Sequence, residues 1–224
     1  VQVHGPGWSK IIIGEDKIEN WRDYIDVIVE SISANGGRSC INASAVLVPK
    51  YGKEIADAIA AKVGPYEPTA SDDENAKLSG FANVKMADYI DNVIDEDLKT
   101  PGAEDMTAKY RNGPRKVVYN GGTYLRPTII HCSSTDHPLY NREFLCPYAT
   151  VVEVPQKDML SKIGYSLVVT AITADNAFMD ELMECELIDR LNIGPISTMK
   201  ISWDQPHEGN MFEFLYKRRS IDCA

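Results

Sequence analysis

Asn35 to Ser44 reads NGGRSCINAS, a stretch that fits neither a helical nor a strand repeat yet sits between one of each. It holds paired glycines, a cation and a cysteine, and loops of this kind on a rigid scaffold are where reactive groups are placed. A cysteine attacks as the thiolate, so its ordinary pKa of about 8.5 must fall for it to act near neutrality. Arg38 would help if its head group folded back over the sulfur. The preceding helix works against it, because its negative end points at the loop. On the residues alone Cys40 is either a nucleophile or one more small buried side chain.

Other residues offer weaker chemistry. His131, Cys132 and His137 lie close together, but no second pair of ligands has zinc-like spacing, so no metal site is expected. His4 and His207 are distant in the chain, and four scattered histidines support no Ser-His-Asp order. HGPGWSK lacks both glycine spacings of phosphate loops, and it reads as a tight strand connection.

The elements that must hold the loop follow from apolar periodicity. Val1–Val3 and Lys10–Ile13 read as strand pieces. Ile18 to Asn35 carries Ile18, Trp21, Tyr24, Ile25, Ile28, Val29 and Ile32, the stripe of a helix with one buried face. Asn35-Gly36-Gly37 ends it through positive φ. Ala45–Val48 is a short buried strand and Lys53–Val63 an alanine-rich helix. From Pro65 to Gly113 one helix is expected at Val84–Val93, and the acidic runs Asp72–Glu74 and Asp95–Asp97 read as solvated faces. Strands follow at Arg115–Tyr119 and in an extended segment Tyr124–His131, then at Thr150–Val154, Leu167–Ile172 and Ile188–Ile193. Helices are expected at Lys157–Ile163 and Ala174–Glu184. Alternating strands and helices make an α/β fold: an open, mostly parallel sheet with helices on both faces.

The chain has 224 residues, 44% hydrophobic and 25% charged, as an ordinary globular domain does. Five cysteines with no CxxC pair and no secretory segment point to a reduced, cytoplasmic setting. A net charge of −10 argues against nucleic acid or an anionic membrane as partner, and the apolar runs are too short to span a bilayer. The chain opens at Val1 without methionine, and we read it as a piece of a longer protein.

Taken together, four stretches resemble the C-terminal catalytic part of the aldehyde dehydrogenase superfamily. NGGRSC is similar to that family's NQGQxC nucleophile loop, followed by a strand like ASAVLVP. GGTYLRPTII is similar to its glycine-to-PT stretch, NREFLCP to its E-x-F-G-P motif, and DRLNIG…DQPHEGN to its closing strand and turn. The resemblance implies a single catalytic domain over residues 1–224, with the dinucleotide-binding domain upstream. It implies that Cys40 attacks an aldehyde to give a thiohemiacetal, then a thioester after hydride loss to NAD or NADP. It places Glu143 on the residue that binds the nicotinamide ribose and Leu145 on the aromatic beside it, with Cys146 in place of a glycine. Gln2 falls where the family's ELGGK strand carries a glutamate base, and glutamine has no carboxylate to take a proton. His207 is a substitute base in this reading.

Three functions remain: an NAD(P)-dependent aldehyde dehydrogenase; an acylating relative that passes the acyl group to coenzyme A; and a catalytically silent relative. The resemblance implies a small-molecule aldehyde as substrate, and the full-length protein is expected to be a homo-oligomer. The chain alone is expected to be inactive and to bind NAD without measurable affinity.

Overall fold

The structure is a computed structural model that describes residues 5–70, 72–202 and 220–224. The expected strand at Val1–Val3 lies outside them. Ten strands and five α-helices are described: β1 Lys10–Ile13, α1 Ile25–Ser33, β2 Ala45–Val48, α2 Gly52–Val63, α3 Val84–Asp97, β3 Ala103–Asp105, β4 Lys116–Tyr119, β5 Gly122–Leu125, β6 Thr128–Cys132, β7 Tyr148–Glu153, α4 Gln156–Lys162, β8 Ser166–Ile172, α5 Asn176–Glu184, β9 Ile188–Ile193 and β10 Ser220–Cys223. Eight strands form one sheet in the order β10-β9-β8-β1-β2-β7-β6-β3, and β4 and β5 form a separate hairpin. Every pairing in the large sheet is parallel except that of the edge strand β3 with β6.

Parallel strands buried on both faces read as continuous apolar runs, and KIII, AVLV and SLVVTAI do so. Alternate residues feed two cores. Ile11, Ile13, Val46, Val48 and Val151 pack under Ile28 and Ile32 of α1 and Ile55 and Ile59 of α2. On the other face Ile12, Leu47, Val152, Val169 and Ala171 pack under Ile90 of α3, Met159 of α4 and Phe178 of α5. The open, mostly parallel sheet with helices on both faces is thus present as expected.

Three departures have local causes. The expected helix over Ile18–Asn35 is split: Ile18–Tyr24 is 3-10 with a break at Asn20, and α-geometry starts at Ile25. Helix α3 runs four residues past Val93, because Ile94 continues its buried stripe. Its acidic end is not simply solvated, since Asp95 pairs with Arg115 at 3.0 Å and Asp97 with Arg142 at 2.9 Å. Strands β3 and β10 are short edge pieces without an apolar run to announce them.

Candidate active site

The cysteine loop is shaped by backbone before side chains. Asn35, Gly36 and Gly37 all take left-handed φ, at 54°, 65° and 67°. A Cβ on Gly37 would lie 2.4 Å from the Cys146 carbonyl carbon and the Pro147 nitrogen. The paired glycines therefore turn the chain and let this loop touch the backbone of the loop that carries Glu143.

Asn42 then ties the turn shut. Its Oδ1 accepts from the Ser39 N–H at 2.8 Å, and its Nδ2 donates to the Ser31 and Ala34 carbonyls at 2.9 and 3.1 Å. The Ser31 carbonyl also accepts from the Ala43 N–H at 2.9 Å. These are end carbonyls of α1, so the loop's own donors satisfy the negative end of the helix that opposes thiolate formation. Cys40 is half-buried and packs against Ile41, Leu167 and Val168. Arg38 sets its guanidinium over the Phe81 ring, 4.7 Å from its centroid.

The segment expected to be a plain strand connection is the floor of the site. Gly7 lies so close beneath Cys40 that a Cβ on it would come within 1.9 Å of the Cys40 carbonyl oxygen. The Ser9 hydroxyl donates to that same oxygen at 2.9 Å. Leu167 N–H donates to the Gly7 carbonyl at 2.8 Å, fixing the segment to β8.

Glu143 closes the arrangement. One carboxylate oxygen accepts from the Gly7 N–H at 3.1 Å and the other from the Trp8 N–H. Burial pushes its carboxyl above the usual range, against the pull of those two donors and of Lys10. Leu145 is 52% exposed. Both line a cavity of about 280 Å³ with Met86, Tyr89, Ile90 and Phe144.

Thus Cys40 and Glu143 come together around Gly7 at the amino ends of β1, β2 and β7, with Leu145 on the adjoining wall. Gln2 and His207 lie outside the described residues, as do His4 and the DQPHEGN turn. His137 is buried and uses both ring nitrogens locally, on the Thr100 carbonyl at 3.1 Å and the Leu139 N–H at 3.2 Å. His131 and Cys132 are neighbours on β6, and among the described residues no three His, Cys, Asp or Glu side chains form a metal-binding group. Sequence reasoning missed Trp8, Ser9 and Lys10. A lysine opening the buried triplet Ile11–Ile13 was the available signal.

A family model described as "Aldehyde dehydrogenase family" matches residues 1–164. The chain belongs to the aldehyde dehydrogenase family. No curated protein sequence matches it. Solved aldehyde dehydrogenases share the fold at low identity. The NAD+ complex of aldehyde dehydrogenase from Bacillus cereus is 17% identical with a TM-score of 0.71, covering 88% of this chain and 39% of its own. Glyceraldehyde-3-phosphate dehydrogenase from Methanocaldococcus jannaschii, complexed with NADP, is 14% identical with a TM-score of 0.70, covering 91% and 42%. For 1-pyrroline-5-carboxylate dehydrogenase from Thermus thermophilus the values are 13%, 0.71, 88% and 37%. The chain therefore spans about two fifths of the aldehyde dehydrogenases it matches. The likeness extends past residue 164 and so takes in strands of the sheet that the family model leaves out. Among the described residues no helix is long and apolar enough to cross a membrane.

Proposed function

We propose that this chain is the thiol-bearing catalytic part of an NAD(P)-dependent aldehyde dehydrogenase, with Cys40 as nucleophile. The observation that carries this is the seating of Cys40: a half-buried cysteine in a loop closed by Asn42 and pressed onto Gly7, beside the carboxylate of Glu143. In such a site the Cys40 thiolate forms a bond to the aldehyde carbon, and the carbonyl electron pair moves to oxygen. The fixed Cys40 peptide holds the new tetrahedral centre in one orientation.

A carboxylate offers about four acceptor positions, and Glu143 uses two on Gly7 and Trp8. The rest can accept two ribose hydroxyls, and the exposed Leu145 offers an apolar surface beside them, so these residues fit a nicotinamide nucleotide. When bound, that cofactor supplies the hydride acceptor that turns the thiohemiacetal into a thioester.

Release of the acyl group is the step on which two readings divide. Gln2, in the place of the family's glutamate, has no carboxylate to activate water. Either His207 serves as base, or coenzyme A takes the acyl group, since a thiol carries more of its nucleophilic anion than water does. A silent relative is the third reading.

The deciding assay follows NAD(P)H formation from a short aldehyde by the full-length protein, with and without coenzyme A. Cys40→Ser should abolish turnover by roughly 10³-fold or more, whereas unchanged turnover in that variant rejects the proposal. A requirement for coenzyme A selects the acylating reading. Water as acceptor, with thioester hydrolysis whose pH dependence is unchanged in His207→Ala, discards His207.

A further inference from the structure

Trp8 has φ of +43°, a left-handed conformation that a bulky residue adopts only when its surroundings impose it. Here both polar groups of the residue are seized. Its N–H donates to the Glu143 carboxylate, and its carbonyl accepts from the Lys10 ammonium at 2.6 Å. Lys10 is 1% exposed, far below what an unassisted lysine tolerates, and it also donates to the Ser166 hydroxyl at 3.1 Å. The register of β1 sets Lys10 against Val169 of β8 and Ala45 of β2, neither of which can stabilise a charge. Gly7, the neighbour of the strained residue, is the one pressed onto the Cys40 carbonyl.

We propose that Lys10 and Glu143 form a buried clamp on the Trp8 peptide, and that Lys10 is a positioning residue for Cys40, acting through Trp8 and Gly7. The idea rests on Cys40 being the nucleophile. It adds that the orientation of Cys40 depends on a buried ammonium. Burial lowers the Lys10 pKa to about 8, opposed by the field of Glu143. Among the described residues Glu143 is the titratable group that faces it. Ser166 and the Trp8 carbonyl are neutral, and the nearby Tyr165, whose ring meets Trp8 edge-on at 6.5 Å, has its hydroxyl on Asp189. Loss of the Lys10 proton above pH 8 removes the charge that draws in the Trp8 carbonyl, and the strained peptide relaxes.

The test pairs two readouts on the full-length protein. Trp8 emission, taken as the difference between wild type and Trp8→Phe, is titrated from pH 6.5 to 9.5. The rate of Cys40 alkylation by iodoacetamide is mapped by peptide mass spectrometry over the same range. Wild type should show an emission shift centred near pH 8 and, once each alkylation rate is divided by the thiolate fraction at that pH, a break in the alkylation profile at the same pH. Lys10→Met should show the relaxed emission at every pH and lose the break, with alkylation at pH 7 changed roughly tenfold, short of the ~100-fold that an ångström of misplacement can cost. Lys10→Arg, permanently charged, should keep the low-pH emission throughout. Should Lys10→Met fail to fold, the wild-type titration still decides. Flat emission across the range overturns the clamp. A shift in emission without a break in alkylation overturns the positioning role and leaves Cys40 as nucleophile untouched. A Cys40 inert at every pH overturns the nucleophile reading and the positioning role with it, while the emission shift reports the clamp separately.

Discussion

The two ends of the parallel sheet are built on opposite terms. Open α/β sheets commonly bind ligands beyond the carboxyl ends of their strands, where the strand order reverses. Here that point lies between β1 and β8, and a cavity of about 340 Å³ opens nearby, lined by Glu15, Gln156, Asp175 and Glu181. Several polar groups in and beside it nonetheless pair with one another. Asp16 accepts from the Thr173 hydroxyl and from the Ala174 N–H, each at 2.8 Å. Gln156 accepts from the Glu15 N–H at 2.7 Å and donates to Asp175 at 3.2 Å, and Asp175 also caps α5. The amino end holds the opposite inventory: a left-handed tryptophan, a buried lysine, a carboxylate raised by burial, and the half-buried Cys40. Left-handed backbone occurs at both ends, since Tyr51 just past β2 has φ of 64°; desolvated charge, rather than strain or strand topology, is what favours the amino end as the proposed site.

That contrast can be broken by substitution. The largest effect is expected for Gly7→Ala, whose Cβ would fall 1.9 Å from a backbone oxygen that cannot swing aside. Stability should drop by about 3 kcal/mol or more, and Cys40 alkylation should change with it; a variant that melts and alkylates like wild type would show the floor to be slack. Next comes pH. The Lys10 pKa is lowered in the fold, from 10.5 to about 8, so its burial penalty is full below pH 8 and vanishes as pH rises past 10.5. Between pH 7 and 9.5 wild type should gain about 2 kcal/mol from this group. Denaturant melts of Lys10→Met should lack that gain.

At the carboxyl end, Asp16→Ala strands a hydroxyl and an N–H and should cost about 1–3 kcal/mol, yet leave the Cys40 alkylation rate where it was. A changed rate would mean the two ends are coupled. The smallest effect is a null one: burial pushes the Cys132 and Cys146 thiols up to about 12, so neither should be labelled by iodoacetamide at pH 7.5 in the folded protein, while the exposed Cys223 is modified slowly.

Much of the scaffold was legible because burial on both faces writes itself into runs such as AVLV and SLVVTAI. The Cys40 loop was legible because Asn35-Gly36-Gly37 can only be a forced turn. What stayed hidden depends on contacts distant in sequence. Lys10 reads as a strand residue until Ser166 and Glu143 are brought beside it, and Trp8 shows no strain in a string of letters. The acidic end of α3 looked solvated because its partners, Arg115 and Arg142, lie 20 and 45 residues on. Strand β3, three residues long, has too few side chains to display a period.

The position of β1 between β2 and β8 has a kinetic consequence. Its pairing with β2 closes a loop of some thirty-five residues, but the Lys10–Ser166 bond joins groups 156 positions apart. Contacts of such separation form late, because the entropy of closing the intervening chain must be overcome first. A refolding chain can therefore hold the α1–β2 unit, its cysteine loop and the Gly7–Ser9 segment before Leu167 of β8 fixes that floor beneath Cys40. The thiol should become protected in two steps, and the second should coincide with the arrival of β8.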